Sequence, residues 1–163
     1  MIAATLQVVL VMGVAGCGKT TIGELLAERL GGCFFDADDF HSIANVEKMT
    51  RGESLTDVDR WPWLDAVAEA VQSHEEPCVL VLGCSALKAT YRNRLRLPHH
   101  KIVLLTAPLK TLQERLVSRG GHFMPSQLLD SQLDILEEPE DAIKVSVIGS
   151  PTDIVNHIVQ ALD

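Results

Sequence analysis

The sequence predicts an α/β fold, a five-stranded parallel sheet with helices on both faces, and three observations carry that reading. A short apolar, β-branched run, Gln7-Val8-Val9-Leu10-Val11-Met12, leads straight into Gly13-Val14-Ala15-Gly16-Cys17-Gly18-Lys19-Thr20. That octapeptide fits G-x-x-x-x-G-K-[ST], the phosphate-binding P-loop, in the strand-to-helix context the motif needs. Ile22, Leu25, Leu26 and Leu30 then follow at helical spacing. Short apolar runs and amphipathic stretches alternate to the end of the chain, the pattern of a parallel sheet covered by helices.

Taken in order, the first strand and the P-loop helix end near Gly31-Gly32, a natural helix stop. Cys33 to Asp36 reads as a second strand. Between Ala37 and about Pro77 no strand is expected, and this stretch (37–77) is a candidate substrate-binding insertion. It holds a short helix around Val46 to Met49, then the stripe Leu64, Val67, Ala68 and Val71 of an amphipathic helix. Asp59 is the expected cap of that helix and Pro62 belongs to its first turn. Val79 to Leu82 is the third strand, followed by a polar helix over about 87–97. Ile102 to Leu105 is the fourth strand, and Leu109, Leu112 and Leu116 begin a helix after Pro108. Gly120-Gly121 breaks it before a second helical stretch with Leu129, Leu133 and Leu136. Val145 to Ile148 is the last strand, and Ser150-Pro151-Thr152-Asp153 caps and opens the final helix.

Each position of the P-loop has a chemical reason. Gly13, Val14, Ala15, Gly16, Cys17 and Gly18 turn backbone N–H groups toward phosphate oxygens, and the helix N-terminus adds favourable partial charge. Lys19 bridges β- and γ-phosphates, and the Thr20 hydroxyl faces Mg²⁺. The chain therefore binds a nucleoside triphosphate. Asp36 and Asp38 stand two apart at the end of the second strand, a period that would direct both toward the strand-end crevice. One carboxylate would serve the metal and the other an acceptor hydroxyl, although the same acidic residues would equally serve to cap the next helix.

Arg115 and Arg119 share one helix face. In a lid over about residues 115–138 they would stack on adenine and clamp the transferring phosphoryl group, with Gly120-Gly121 as hinge. A solvated helix face is the plainer alternative. Lys88, Arg92 and Arg96 recur every four residues, of which Lys88 is expected to face the site and Arg96 solvent. His41, Lys48, Arg51 and Arg60 lie in the insertion and, with Asp38, make a polar, net-cationic patch suited to a small anionic polyol. His122 follows the lid glycines within reach of substrate on closure. His74, His99, His100 and His157 have no suggestive setting, and Trp61 and Trp63 read as packing residues.

The composition sets limits. At 163 residues the chain suits one domain, residues 1–163, without repeats or linkers. A net charge of −8 argues against nucleic acid as a partner, since phosphate backbones demand a basic face. The apolar stretch Met1 to Met12 is too short to span a bilayer, lacks a basic flank and runs into the P-loop, so neither a membrane anchor nor a cleaved signal is expected. Cys17, Cys33, Cys78 and Cys84 show no C-x-x-C or zinc spacing, which fits a reduced, cytoplasmic setting. Cys17 stands apart, because a thiol inside the P-loop would face a positive environment.

These motifs together resemble the small gluconate kinases of the P-loop kinase superfamily, relatives of shikimate kinase and adenylate kinase. The matching stretches are Met12 to Thr20, Phe35-Asp36-Ala37-Asp38-Asp39-Phe40-His41, Lys48-Met49, Gly52 to Arg60 and Pro62-Trp63-Leu64. Cys84-Ser85-Ala86-Leu87-Lys88, Tyr91-Arg92, Gly121-His122-Phe123-Met124 and the run through Ser131-Gln132 to Pro139 complete them. The resemblance implies a P-loop kinase fold, ATP and Mg²⁺, phosphorylation of D-gluconate to 6-phosphogluconate and, in some relatives, a homodimer. It implies Asp36 for Mg²⁺, Asp38 for the acceptor hydroxyl and Arg60 for the substrate carboxylate; in the mechanism this suggests, Lys19 and Arg119 stabilise the charge on the transferring group. Cys17 replaces the serine usual in relatives, and Gly83 another small residue. The same parts would also suit shikimate or another small anionic alcohol. A nucleotide switch is the remaining alternative, though the chain has no N-K-x-D and no D-x-x-G after a strand.

Overall fold

Both faces of the first strand, β1 (Val8–Met12), are covered, and all five of its residues are buried. Val9 and Val11 point into one core layer and Val8, Leu10 and Met12 into the other, the alternation a pleated strand imposes. The computed structural model describes residues 7–118 and 127–163. Arg119, Gly120, Gly121 and His122, with the expectations placed on them, lie outside the described residues.

The remaining strands are β2 (Cys33–Asp36), β3 (Leu80–Gly83), β4 (His100–Thr106) and β5 (Ile143–Ser146). Their order is β2-β3-β1-β4-β5, and every pairing is parallel. Val8 is level with Leu80 on one side and His100 on the other. The helices are α1 (Lys19–Leu30), α2 (Ile43–Thr50), α3 (Asp57–Gln72), α4 (Ala89–Leu95), α5 (Leu109–Ser118), α6 (Gln127–Ile135) and α7 (Pro151–Leu162). Ile22 and Leu26 of α1, Leu112 and Leu116 of α5, and Ile154 and Ile158 of α7 fill the first layer. Trp63, Leu64, Val67 and Val71 of α3, with Tyr91 and Leu95 of α4, fill the second. A smaller cluster, Met49, Leu55 and Leu128, ties the insertion to α6. Among the described residues no helix is long and apolar enough to cross a membrane.

Several boundaries differ from those the sequence predicts. Thr56, not Asp59, caps α3. Its side chain accepts the Asp59 N–H while the Asp59 carboxylate accepts the Thr56 N–H, so the two form a capping box. Pro62 accordingly lies beyond the first turn. α4 spans 89–95 rather than 87–97, because residues 85–87 form a loop and Arg96 ends the helix in the left-handed region at φ +46°. β5 begins at Ile143 rather than Val145, in register with Val103. The exposed Lys144 breaks the apolar run there and conceals the strand start, while Ile148 lies beyond the strand and is 59% exposed.

Candidate active site

The P-loop joins the carboxyl end of β1 to α1, and its glycines have specific reasons to be there. Gly13 has φ +151°, and a Cβ on it would lie 2.7 Å from the Cys17 sulfur and 2.9 Å from the Leu105 carbonyl oxygen. Gly18 caps α1 in the left-handed region with no side chain closing the helix end, which keeps the anion-binding N–H groups available. Lys19 reaches back across the loop, its Nζ donating to the Gly13 and Val14 carbonyls at 3.0 and 3.2 Å. The Ala15 N–H donates to Oε1 of Gln132 at 2.8 Å, so an amide oxygen rests where the loop offers a donor. The Cys17 side chain is fully buried and packs with the apolar core residues.

The Thr20 hydroxyl donates to Oδ2 of Asp36 at 3.0 Å, which brings the two residues expected at the metal together. Oδ1 of the same carboxylate accepts the Asp38 N–H at 2.9 Å and caps a 3-10 turn over Ala37–Phe40. The strand ends at Asp36, so the period of two does not extend to Asp38. That residue sits on the turn instead, with its carboxylate 3.9 Å from Nε2 of His41. A hydroxyl and a carboxylate are hard oxygen donors, the set a hydrated divalent cation prefers.

Behind this pair lies a small cavity of about 40 Å³ whose lining includes His41, Arg60, Trp63, Ser85, Ser131 and Gln132. His41 stacks on Trp63 with ring centroids 4.2 Å apart. Burial first, then the Arg60 charge, pushes its pKa down to about 4. Arg60 donates to the Tyr91 hydroxyl at 2.9 Å and faces Asp57 at 3.5 Å. Lys88 lies 3.6 Å from the other Asp57 oxygen and over the Tyr91 ring. The Tyr91 hydroxyl donates to Asp57 and holds that carboxyl below its usual range. Lys48 pairs with Asp59 at 2.8 Å and, with the backbone bonds of the cap, holds that carboxyl down to about 2. The expected net-cationic patch is thus largely internally neutralised: His41 is uncharged, and Asp57 and Asp59 answer Arg60, Lys88 and Lys48. Trp63 is buried and donates its indole N–H to the Ala37 carbonyl.

On the far side of the P-loop a cleft of about 280 Å³ is lined by Gly16, Gly18, Thr21, Arg115, Val147 and Gly149, among others. The Arg115 guanidinium reaches the Gly16 and Val147 carbonyls at 3.4 and 3.3 Å. Sequence reasoning missed the wall formed by Val147 to Pro151, although Gly149, at φ +119°, was a legible sign of a turn there. It named Arg92 but gave it no role; its guanidinium braces the loop before α4 through the Ala86 and Leu87 carbonyls. That loop needs a brace, since Ala86 sits at φ +41°.

A P-loop at the carboxyl end of a parallel strand, within one glutamine's length of a small polar pocket, is the arrangement of a P-loop kinase. A shikimate kinase family profile matches residues 15–162. A gluconokinase of Gluconobacter oxydans (strain 621H) is 44% identical, over 92% of this chain and 88% of its own. One from Arabidopsis thaliana is 41% identical, over 94% and 91%. The crystal structure of a gluconokinase from Sinorhizobium meliloti 1021 superposes with a TM-score of 0.84 at 41% identity, covering 96% of this chain and 91% of that one. The chain belongs to the gluconokinase family, and it is a kinase that uses ATP with a divalent metal.

Proposed function

We propose that this kinase transfers the γ-phosphoryl group of ATP to the primary hydroxyl of D-gluconate, giving 6-phospho-D-gluconate and ADP. The observation that carries the reading is Gln132, which lines the acceptor pocket and also holds the Ala15 N–H of the phosphate cradle. Acceptor and phosphate therefore meet over the span of one side chain.

In this reading the adenine and ribose lie along Arg115, and the triphosphate replaces the Gln132 amide on the loop from Gly13 to Thr20. Thr20 and Asp36 would hold Mg²⁺, which when bound neutralises charge between the β- and γ-phosphates. Gluconate enters with its carboxylate toward Arg60 and Lys88, while neutral His41 offers hydrogen bonds to hydroxyls. Lys48 fixes Asp59, and with it the start of α3 that presents Arg60. The pocket is small, about 40 Å³, so in this reading α6 shifts away from the insertion as a sugar acid enters. Asp38 orients the acceptor hydroxyl and takes its proton as the oxygen–phosphorus bond forms and the bond to ADP breaks. Lys19 and Arg119 balance the charge on the transferring group, and His122 closes over the substrate. Most of the rate comes from positioning and electrostatics. We place the enzyme in the cytoplasm, where free thiols persist.

A coupled ADP-release assay with Mg·ATP and a panel of gluconate, shikimate, other sugar acids and nucleoside monophosphates tests the proposal. Release with gluconate is expected, and release with another acceptor alone would move the substrate. Asp38→Asn should lower kcat by about a hundredfold or more, the usual share of a general base, and leave ATP affinity near wild type. Wild-type turnover in that variant would remove Asp38 from the mechanism.

A further inference from the structure

Cys33, His74 and Cys78 come together far from the P-loop in sequence and at the opposite end of β2 from Asp36. One ligand atom from each lies within 4.8 Å of the others. The two sulfurs are 3.1 Å apart, and the Cys78 sulfur is 3.5 Å from Nε2 of His74. Oε2 of Glu76 lies 3.2 Å from the Cys33 sulfur and 3.8 Å from that of Cys78. We propose that these groups form a binding site for a thiophilic divalent cation, Zn²⁺ above all, with Cys33, His74 and Cys78 as ligands and the Glu76 carboxylate as the fourth.

The geometry matches that chemistry more closely than it matches a disulfide. Tetrahedral zinc, with Zn–S about 2.3 Å and Zn–N about 2.0–2.1 Å, sets sulfur–nitrogen separations near 3.6 Å and sulfur–sulfur separations near 3.8 Å. The first is already present, and the second needs the thiols to open by about 0.7 Å around the ion. A disulfide bond, at about 2.05 Å, would need the sulfurs to close by more than that and has no use for an imidazole and a carboxylate beside it.

The backbone holds the donors in place. The Cys33 N–H donates to the Val79 carbonyl at 3.0 Å. Gly32 lets the two segments approach, because a Cβ there would lie 2.1 Å from that same carbonyl oxygen. The His74 imidazole is packed edge-on against Phe35, with ring centroids 5.5 Å apart, so its direction is fixed before any ion arrives. Zinc takes cysteine as thiolate, so binding one M²⁺ displaces thiol protons to buffer. The ion would staple the start of the edge strand β2 to the connection between α3 and β3.

The test uses the full chain, reduced and freed of metal with a chelator, then titrated with Zn²⁺ and separately with Co²⁺ under excess Mg²⁺. One ion per chain is expected, with thiolate-to-cobalt charge-transfer absorption and the visible bands of tetrahedral Co²⁺. At a hundredfold excess over Kd, zinc should raise the melting temperature by about 5 °C or more. His74→Gln and the double variant Cys33→Ser/Cys78→Ser should each weaken binding by at least about a hundredfold, one ligand's share of a structural site. Their far-UV circular dichroism and kinase activity serve as the check on folding. Tight binding that survives either variant would overturn the proposal. So would a reduced wild-type chain that binds no Zn²⁺, or one whose Cys33 and Cys78 are found joined as a disulfide without metal.

Discussion

Burial strips His41 of its charge, and the consequence can be measured. With its side chain 4% exposed and its pKa held at about 4, against 6.5 for the free residue, the unfolded chain binds a proton the folded chain refuses between those values. Stability is therefore full above about pH 6.5 and falls as the pH drops toward 4, by up to about 3 kcal/mol from this residue. Urea unfolding at pH 7 and pH 4.5 should show a smaller loss for His41→Gln than for wild type; equal losses would show that His41 is not the cause. The sequence placed His41 in the insertion yet counted it among the cations. Its neutrality depends on Trp63 and Arg60 closing over it from another helix, which no local spacing reveals. Asp36 was more legible, because its meeting with Thr20 follows from ending a strand beside the P-loop helix. The dual use of its oxygens was not: one accepts from the Thr20 hydroxyl while the other caps the turn after β2.

α3 shows what an element owes to one end. Its capping box satisfies donors at the first turn, and Asp59 also anchors Lys48. Replacing Thr56 with Ala should cost about 1 kcal/mol and lower the melting temperature by about 3 °C, measurable by thermal denaturation. A loss within error would mean that solvent replaces the cap. The helix itself was readable from Leu64, Val67, Ala68 and Val71. Its start was misplaced because Pro62, a residue typical of first turns, sits further along, where its missing N–H leaves the Val58 carbonyl without its helical donor. The Cys33–His74–Cys78 cluster escaped sequence reading for a related reason. Its members come from a strand and from the connection that follows α3, so only the fold supplies their spacing.

Across the whole molecule, α6 connects what the chain separates. Leu128 packs with Met49 and Leu55, Ser131 meets Ser54 at 3.0 Å, and Gln132 occupies the Ala15 N–H. On the proposed reading, nucleotide and this arrangement compete for one backbone donor. Gln132→Ala should tighten ATP binding to the acceptor-free enzyme by about fivefold, the worth of one net hydrogen bond, as read by calorimetry. Unchanged or weaker binding would show that the glutamine does not compete. The sheet was legible at this scale because alternation and the P-loop leave few topologies open. The pocket was not, because its closure rests on contacts between segments far apart in sequence.

The strand order has a further consequence for synthesis. β1 lies between β3 and β4, so one of its hydrogen-bonding edges stays open until translation has passed Gly83 and the other until it has passed Thr106. Until then Val8 to Met12 is a charge-free, β-prone window of the kind that pairs with strangers, and its proper partners arrive by slow, non-local pairing. The strand that centres the finished sheet is the one most open to misassociation on the ribosome.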